Sequence, residues 1–486
     1  MKEYAAKQPS PWVSVLPLAV LTLLLYVVIR CFGGDAINGG SQIALLSATS
    51  VCVMLAIGIY RCKWAVLEEA IIDNIRASAS AIIILLLIGA IAGSWMVSGV
   101  VPTMIYYGLK ILHPSFFLVA SCAICAGVSL MTGSSWTTIA TIGVALMGTG
   151  QAMGFPEGWI AGAIISGAYF GDKLSLLSDT TVLASSTVGV PIFTHIRYML
   201  YTTVPSFVIA LAVFVIAGLT LDHTGGTHAG MYAESLRGTF RITPWLLAVP
   251  VATGVLIVRK LPAIVTLFCA AVFACIAMLL AQPELVAKVA GVGGLDFMSG
   301  FKGVLMSCFG PTAIPTGSPQ LDELVATRGM AGMLNTVWLI ICAMCFGGVM
   351  TGSGMLGSLT SVFLRFVRRA FSAVASTVGA GIFFNLCTAD QYISIILSGR
   401  LFRELYAERG LEPRLLSRSV EDSATVCSVL VPWNSCGMTQ ATVLGVSTFV
   451  YMPYCIFNIV SPLMSLMVAA IGWKIKRAAG TAAHPH

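Results

Sequence analysis

Charge is scarce in this chain. Of its 486 residues only 10% are Asp, Glu, Lys or Arg, against roughly 25% in an ordinary soluble chain. The deficit excludes several soluble domains, each wrapped in a solvated surface. With 57% hydrophobic residues and a mean hydropathy of +0.92, it excludes a disordered scaffold too. A net charge of +7 is modest, and no nucleic-acid partner is read from it. Histidine is also rare, with six residues at 113, 195, 223, 228, 484 and 486, all read as loop or tail positions. The CxxC pairs Cys122/Cys125 and Cys342/Cys345 therefore lack the further ligands a metal site needs, and the 14 cysteines read as reduced side chains packed between helices. No phosphate-cradling motif and no nucleophile triad is present. An ATP-driven pump and a membrane hydrolase are poor fits, and the chain reads as no enzyme. Glycine, by contrast, is plentiful at 48 with 20 prolines, as in helices that lie in lipid.

Apolar stretches long enough to cross about 30 Å of hydrocarbon run near 12–31, 41–60, 79–98, 198–220, 243–259, 262–281, 334–353 and 449–473. The first is too long for a typical signal-peptide core and reads as an uncleaved span. Two regions, 115–190 and 371–445, are apolar but broken midway by Gly, Ser, Thr and acidic residues. Each reads as a re-entrant hairpin followed by an interrupted span. Residues 61–76 read as an amphipathic interfacial helix, and 282–333 as an external loop with partial helices.

With a cytoplasmic N-terminus this layout puts 19 of the 27 Lys and Arg residues inside and 7 outside, with Lys173 alone left in the membrane. That is the expected cytoplasmic excess, and both termini come out cytoplasmic. An ungapped offset of 255 relates the two halves. It sets Gly93, Ser98 and Gly99 on Gly348, Ser353 and Gly354, and Thr187-Val188 on Thr442-Val443. The same register lays Thr132–Thr138 on Cys387–Ile393 and Ser178-Asp179-Thr180 on Trp433-Asn434-Ser435. Five spans per copy make the second copy inverted. The expected fold is an all-α polytopic membrane protein of two inverted five-span repeats. Repeat 1 covers 12–220, with a hairpin at 115–150 and a broken span at 157–190; an external linker covers 221–242. Repeat 2 covers 243–473, with a hairpin at 371–398 and a broken span at 418–445. Inverted repeats with discontinuous helices mark secondary transporters.

Backbone inside hydrocarbon must satisfy its own hydrogen bonds, so non-helical breaks persist only where they line a cavity or site. The first hairpin tip offers Thr132, Gly133, Ser134 and Ser135. The second offers Asn385, Thr388, Asp390 and Gln391. The interrupted spans add Asp172, Lys173, Ser175, Ser178, Asp179 and Thr180 on one side and Asn434 on the other. Three carboxylates and an ammonium near the bilayer centre would cost about 10 kcal/mol unpaired, which calls for pairing or function. Hard oxygen ligands suit Na⁺, and a carboxylate that takes either Na⁺ or H⁺ suffices for exchange. Asp179 and Asp390 read as ion ligands rather than helix caps. Asp172–Lys173 reads equally as an ion site or a local ion pair. Glu421 and Asp422, behind an Arg-rich loop, read as an N-cap at the membrane surface.

The strings GAYFGDKLSLLSDTT (167–181), TADQY (388–392) and LSRSVEDSATVCSVLVPWNSCG (416–437) resemble the NhaC-type Na⁺/H⁺ antiporters of the ion-transporter superfamily, and the likeness extends from about 60 to 470. It implies two inverted repeats with hairpins, a homodimer with a scaffold and a moving, elevator-like transport part, and residence in the bacterial inner membrane. It implies Na⁺/H⁺ exchange with no cofactor beyond the transported ions, and Na⁺ held at Asp172, Asp179 and Asp390. Some relatives exchange organic acids, so coupled transport of a small organic acid or amino acid is the alternative. Leu176 and Val429 stand where the family pattern has proline, Val182 where it has Asn, and Ala424 where it has Gly. These departures bear on the shape of the unwound segments.

Overall fold

The computed structural model describes residues 9–32, 38–221, 227–259, 261–294, 296–316, 322, 325–365, 367 and 369–475. Lys2, Lys7, Lys260, Arg368, Lys476 and Arg477 of the charge count lie outside these residues. So do 222–226 of the expected linker and His223, His484 and His486. Among the described residues the fold is all helical, with one isolated bridge between Thr312 and Thr327. Among the described residues eight helices are long and apolar enough to cross a membrane, or up to 11 if each bent pair counts as one span.

The long spans form where the apolar runs predict them, at Pro11–Phe32, Gly40–Gly58, Ala79–Val97, Ile192–Thr220, Ala263–Ala281 and Leu334–Gly352. The run at 243–259 differs. It starts as a 3₁₀ turn, Pro244–Leu247, and continues as Ala248–Val258, short of the roughly 20 residues a span needs. It meets the preceding helix at 94°, because Pro244 cannot carry the helical ladder across the corner. The last span also bends, by 54° between Thr448–Tyr454 and Ile456–Ile471. Trp64–Ala77 is helical as expected and packs on Leu334–Gly352 through the close approach of Ile71 to Gly348. Within 282–333, Pro283–Ala290 and Phe297–Phe309 are helical, and the second packs its Ser307 carbonyl against Gly93.

Both broken regions form antiparallel hairpins followed by a broken helix. In the first hairpin Phe117–Thr132 reverses at Gly133–Ser134 and returns through Ser135–Thr138, a π-helical turn Ile139–Gly143 and Val144–Ala152. Phe117 stacks on Phe155 across the open end, with ring centroids 5.4 Å apart. In the second, Ala370–Thr388 reverses at Ala389–Asp390 into Gln391–Glu408, and the Thr377 and Tyr406 hydroxyls meet at 3.0 Å. Gly133 has φ +66°, and a Cβ there would lie 2.6 Å from the Leu177 carbonyl carbon, so the first tip admits only glycine at its closest approach to the broken span.

The first broken span is Glu157–Leu174 followed by Asp179–Val188, bent by 47°. The second runs through Pro413–Val420, a π-helical turn Glu421–Thr425 and a 3₁₀ turn Ser428–Leu430 before Ser435–Leu444. Caps fix where each half-helix restarts: Ser134 and Ser178 in the first half, Asp390 and Asn434 in the second. These pairs stand 256 residues apart, and the left-handed glycines Gly99 and Gly354, earlier in the chain, stand 255 apart.

Candidate functional site

Each hairpin tip is bonded to the broken span that follows it. Gly167 and Gly171 let the helix carrying Asp172 approach Phe117–Thr132 at the Cys122 and Ala126 carbonyls, a small-xxx-small contact of the kind that brings membrane helices together. Asp172 is thereby buried against the tip. Its Oδ2 accepts from the Ser135 hydroxyl at 2.7 Å and from the Ser135 backbone N–H at 3.1 Å. That N–H belongs to the first turn of a half-helix, where the positive end of the dipole favours an anion. Ser178 lies against the same carboxyl and caps Asp179–Val188 by accepting from the Thr181 N–H. The Ser175 hydroxyl accepts from the Leu177 N–H at 3.2 Å within the break. At the tip, the Thr132 hydroxyl accepts from the Ser134 N–H at 3.2 Å and meets the Thr138 hydroxyl at the same distance.

The second tip repeats the plan with different groups. Asp390 caps Gln391–Glu408, accepting from the Ile393 N–H at 3.0 Å, while its other oxygen meets the Ser435 and Ser78 hydroxyls at 3.4 and 3.5 Å. Asn434 caps Ser435–Leu444 through Cys436 N–H and donates to Asn385 Oδ1 at 3.2 Å. Asn385 in turn donates to the Ala424 carbonyl at 2.8 Å, and Gln391 Oε1 accepts from Ser428 at 2.9 Å. Thr388 ties the turn together through the Asp390 carbonyl at 3.1 Å.

Several expectations change here. Asp390 does act as a helix cap, and its second oxygen meets the Ser435 and Ser78 hydroxyls. Asp179 is exposed at the first residue of its half-helix, and the cap is its neighbour Ser178. Among the described residues no three His, Cys, Asp or Glu side chains group closely enough to hold one metal ion together. Lys173 does not pair with Asp172. Successive residues of a helix point about 100° apart, which sends Lys173 across to Asp422; both side chains are 0% exposed. Glu421 and Asp422 are not a surface cap. They form a fully buried π turn that continues the helix Pro413–Val420. His195, read as a loop residue, is buried within Ile192–Thr220 and meets the Ser417 hydroxyl at 2.8 Å.

The two broken spans are joined through these buried charges. Lys173 Nζ reaches Asp422 Oδ1 and the Ser461 hydroxyl, the latter at 3.1 Å. Thr202 and Ser461 each donate to Asp422 at 3.2 Å. Arg418 is fully buried with Nε 3.9 Å from Asp422 Oδ2 and its guanidinium 4.8 Å from the centre of the Tyr198 ring. Glu421 Oε1 faces the Thr180 hydroxyl at 3.4 Å, and that hydroxyl meets Ser178 at 2.9 Å. Sequence reasoning missed Arg418, Asp422 and Glu421 because it took the Arg-rich run for a surface loop. The i,i+4 spacing of Arg418–Asp422 and of Ser417–Glu421, and of Tyr198–Thr202–Ser206 on the facing helix, is the signal that gives them one buried face.

A separate cavity of about 820 Å³ opens beside the second break, bordered by Gln151, Glu157, Arg328, Asn335, Thr336 and Trp433 among others.

This arrangement can bind a small hard cation at buried carboxylates and hydroxyls, and it has the charge pairs to remain folded while doing so. The chain as a whole is similar to known proteins. The Na⁺/H⁺ antiporter family profile matches residues 167–473. The chain is 35% identical over 425 residues to the Na⁺/H⁺ antiporter NhaC of Alkalihalophilus pseudofirmus, covering 87% of this chain and 89% of that one. It is 34% identical over 437 residues to the malate-2H⁺/Na⁺-lactate antiporter of Bacillus subtilis, covering 89% of each. To the arginine/ornithine antiporter ArcD of Halobacterium salinarum it is 33% identical over 474 residues, 96% of this chain and 93% of that one. This multi-pass membrane protein belongs to the Na⁺/H⁺ antiporter family.

Proposed function

We propose that the protein exchanges Na⁺ for H⁺ across the bacterial cytoplasmic membrane by alternating access, with both termini cytoplasmic. The observation that carries this reading is Asp172: a buried carboxylate at a helix break, bonded by the hydroxyl and N–H of Ser135 and flanked by Ser175 and Ser178. Those are oxygen ligands of the kind that hold Na⁺. Asp390, with Ser435 and Ser78 on its second oxygen, is a second cation position supported by Asn434, Asn385, Thr388 and Gln391. Asp179, exposed at the start of its half-helix, draws cations toward the break. Lys173 holds the two broken spans together through Asp422.

The caps at an offset of 256 support two inverted repeats, whose hairpin tips, Thr132–Ser135 and Asn385–Gln391, move with the broken spans as one elevator-like body against a dimeric scaffold. Proteoliposomes with an imposed pH gradient test the exchange. Addition of Na⁺ or Li⁺ dissipates the gradient in the wild type, and Asp172→Asn and Asp179→Asn weaken that response. Failure of both ions to dissipate it, with Asp179→Asn indistinguishable from wild type, refutes the reading.

The second reading is coupled exchange of a small organic acid or amino acid. A cavity of about 820 Å³ bordered by Arg328 and Glu157 far exceeds one Na⁺, and two of the relatives are named for organic solutes. Saturable thermal stabilisation of the purified protein by malate, lactate, arginine or ornithine, absent with Na⁺ alone, would favour it.

A further inference from the structure

The joint between the broken spans holds Asp172, Glu421 and Asp422 against Lys173 and Arg418, all buried. Three carboxylates face two fixed cations, one negative charge in excess. An uncompensated charge at this depth is costly, so one mobile positive charge belongs to the joint. Asp172 takes two donors from Ser135 on one oxygen, and Asp422 is held by Lys173, Thr202 and Ser461. Glu421 differs from both. Its Oε1 meets the Thr180 hydroxyl at 3.4 Å, the Thr425 hydroxyl lies alongside, and its Oε2 is buried with no hydrogen-bond partner. It also begins a π-helical turn, a rare local geometry found frequently at functional sites.

We infer that Glu421 is the carboxyl group that carries the proton of the exchange, linked to the Na⁺ position at Asp172 by the Ser178–Thr180 hydroxyl pair. The assignment rests on the antiport reading above and deepens it. Na⁺ arriving at Asp172 supplies the missing positive charge, and the Glu421 O–H bond breaks with its proton released to water. When Na⁺ leaves, a proton from water re-forms that bond. Only an O–H bond is broken or made, and the joint keeps a constant charge. The charged groups acting on Glu421 are Lys173 and Asp172 from the first broken span and Asp422 from its own turn, with the Thr425 hydroxyl alongside; Arg418 lies one turn before it. Asp179–Val188 also packs on the turn and carries Asp179, exposed at its first residue; of the other helices packed there, Ala370–Thr388 carries only Cys387 as a titratable group and Ile456–Ile471 carries none. Gln391–Glu408 carries Tyr392 in its first turn, and its next titratable group is Arg400.

The test compares two radioactive-sodium fluxes in proteoliposomes: uptake driven by a pH gradient, and Na⁺/Na⁺ exchange at equal pH, which needs ion binding and the conformational change but no proton. For Glu421→Gln the ratio of driven uptake to exchange is expected to fall about tenfold or more, and Glu421→Asp restores most of it. A ratio equal to wild type overturns the inference, and so does an equal fall of both fluxes in a protein that elutes as a monodisperse, folded species. Should Glu421→Gln not fold, Thr180→Val, which keeps the carboxyl and cuts its hydroxyl link, is read in the same two assays. A lowered ratio supports the inference and an unchanged one overturns it. Wild type without pH-driven uptake refutes the antiport reading itself; coupled wild type with equally coupled Glu421→Gln refutes only the proton assignment.

Discussion

Removing either partner of the Lys173–Asp422 pair provides a graded test of how the two broken spans are joined. Both side chains are 0% exposed, and Asp422 serves three sets of partners: Lys173, the hydroxyls of Thr202 and Ser461, and Arg418 at 3.9 Å. Lys173→Met leaves Asp422 with two hydroxyl donors and the nearby guanidinium. Asp422→Asn leaves two buried cations, Lys173 and Arg418, with no carboxylate at hydrogen-bond distance. Breaking a buried pair from one side costs about 3–5 kcal/mol, and Lys173→Met belongs at the lower end because Arg418 remains as counter-ion. The lost Arg418–Asp422 attraction is worth up to about 4 kcal/mol at 3.9 Å with an effective dielectric constant of ~20, so Asp422→Asn belongs at the upper end or beyond. Lys173→Met combined with Asp422→Leu does not return to wild-type stability, because Arg418 stays unpaired; adding Arg418→Met recovers most of the loss. Equilibrium unfolding of purified variants in detergent micelles gives the order. Losses below about 1 kcal/mol for both single variants, a size typical of exposed pairs, or a fully restored double variant, would refute the picture of one carboxylate shared by two buried cations.

Other perturbations separate folding from ion binding. Asp390→Asn keeps an equally good helix cap, so its unfolding midpoint should match wild type while Na⁺ flux falls; unchanged flux would remove Asp390 from the ion path. Ser135→Ala deletes the hydroxyl on Asp172 but keeps the backbone donor. A hydrogen bond to a charged group contributes about 1.5–3 kcal/mol, so the Na⁺ concentration for half-maximal flux should rise about tenfold or more with maximal flux less affected. Gly133→Ala forces a left-handed conformation at a point 2.6 Å from the Leu177 carbonyl carbon, and should cost at least about 1 kcal/mol and slow transport. Gly254→Ala, with open space around its Cβ position, is the control.

Much of this architecture is legible in the residues. The long apolar runs locate the helices because nothing else fills the hydrocarbon, and Gly, Ser and Thr clusters mark where the helices stop. The same reasoning locates the reversals at Gly133–Ser134 and Ala389–Asp390. It fails where partners are distant in sequence. Lys173 and Asp422 are separated by 249 residues, so neighbouring charge alone suggests an Asp172–Lys173 pair that the helical twist forbids. The run from Arg414 to Asp422 has the composition of a surface loop, and only its four-residue spacing hints at a buried face. His195 shows the same limit, since a lone polar residue at the start of an apolar helix carries no sign of the Ser417 that meets it.

The central claim is that Asp172 binds the transported cation. Equilibrium binding of radioactive sodium to the purified protein, with and without Asp172→Asn, tests it most directly. Saturable binding in the wild type, displaced as the pH is lowered and lost in Asp172→Asn, is the predicted result. Undiminished binding in a folded Asp172→Asn protein would contradict it.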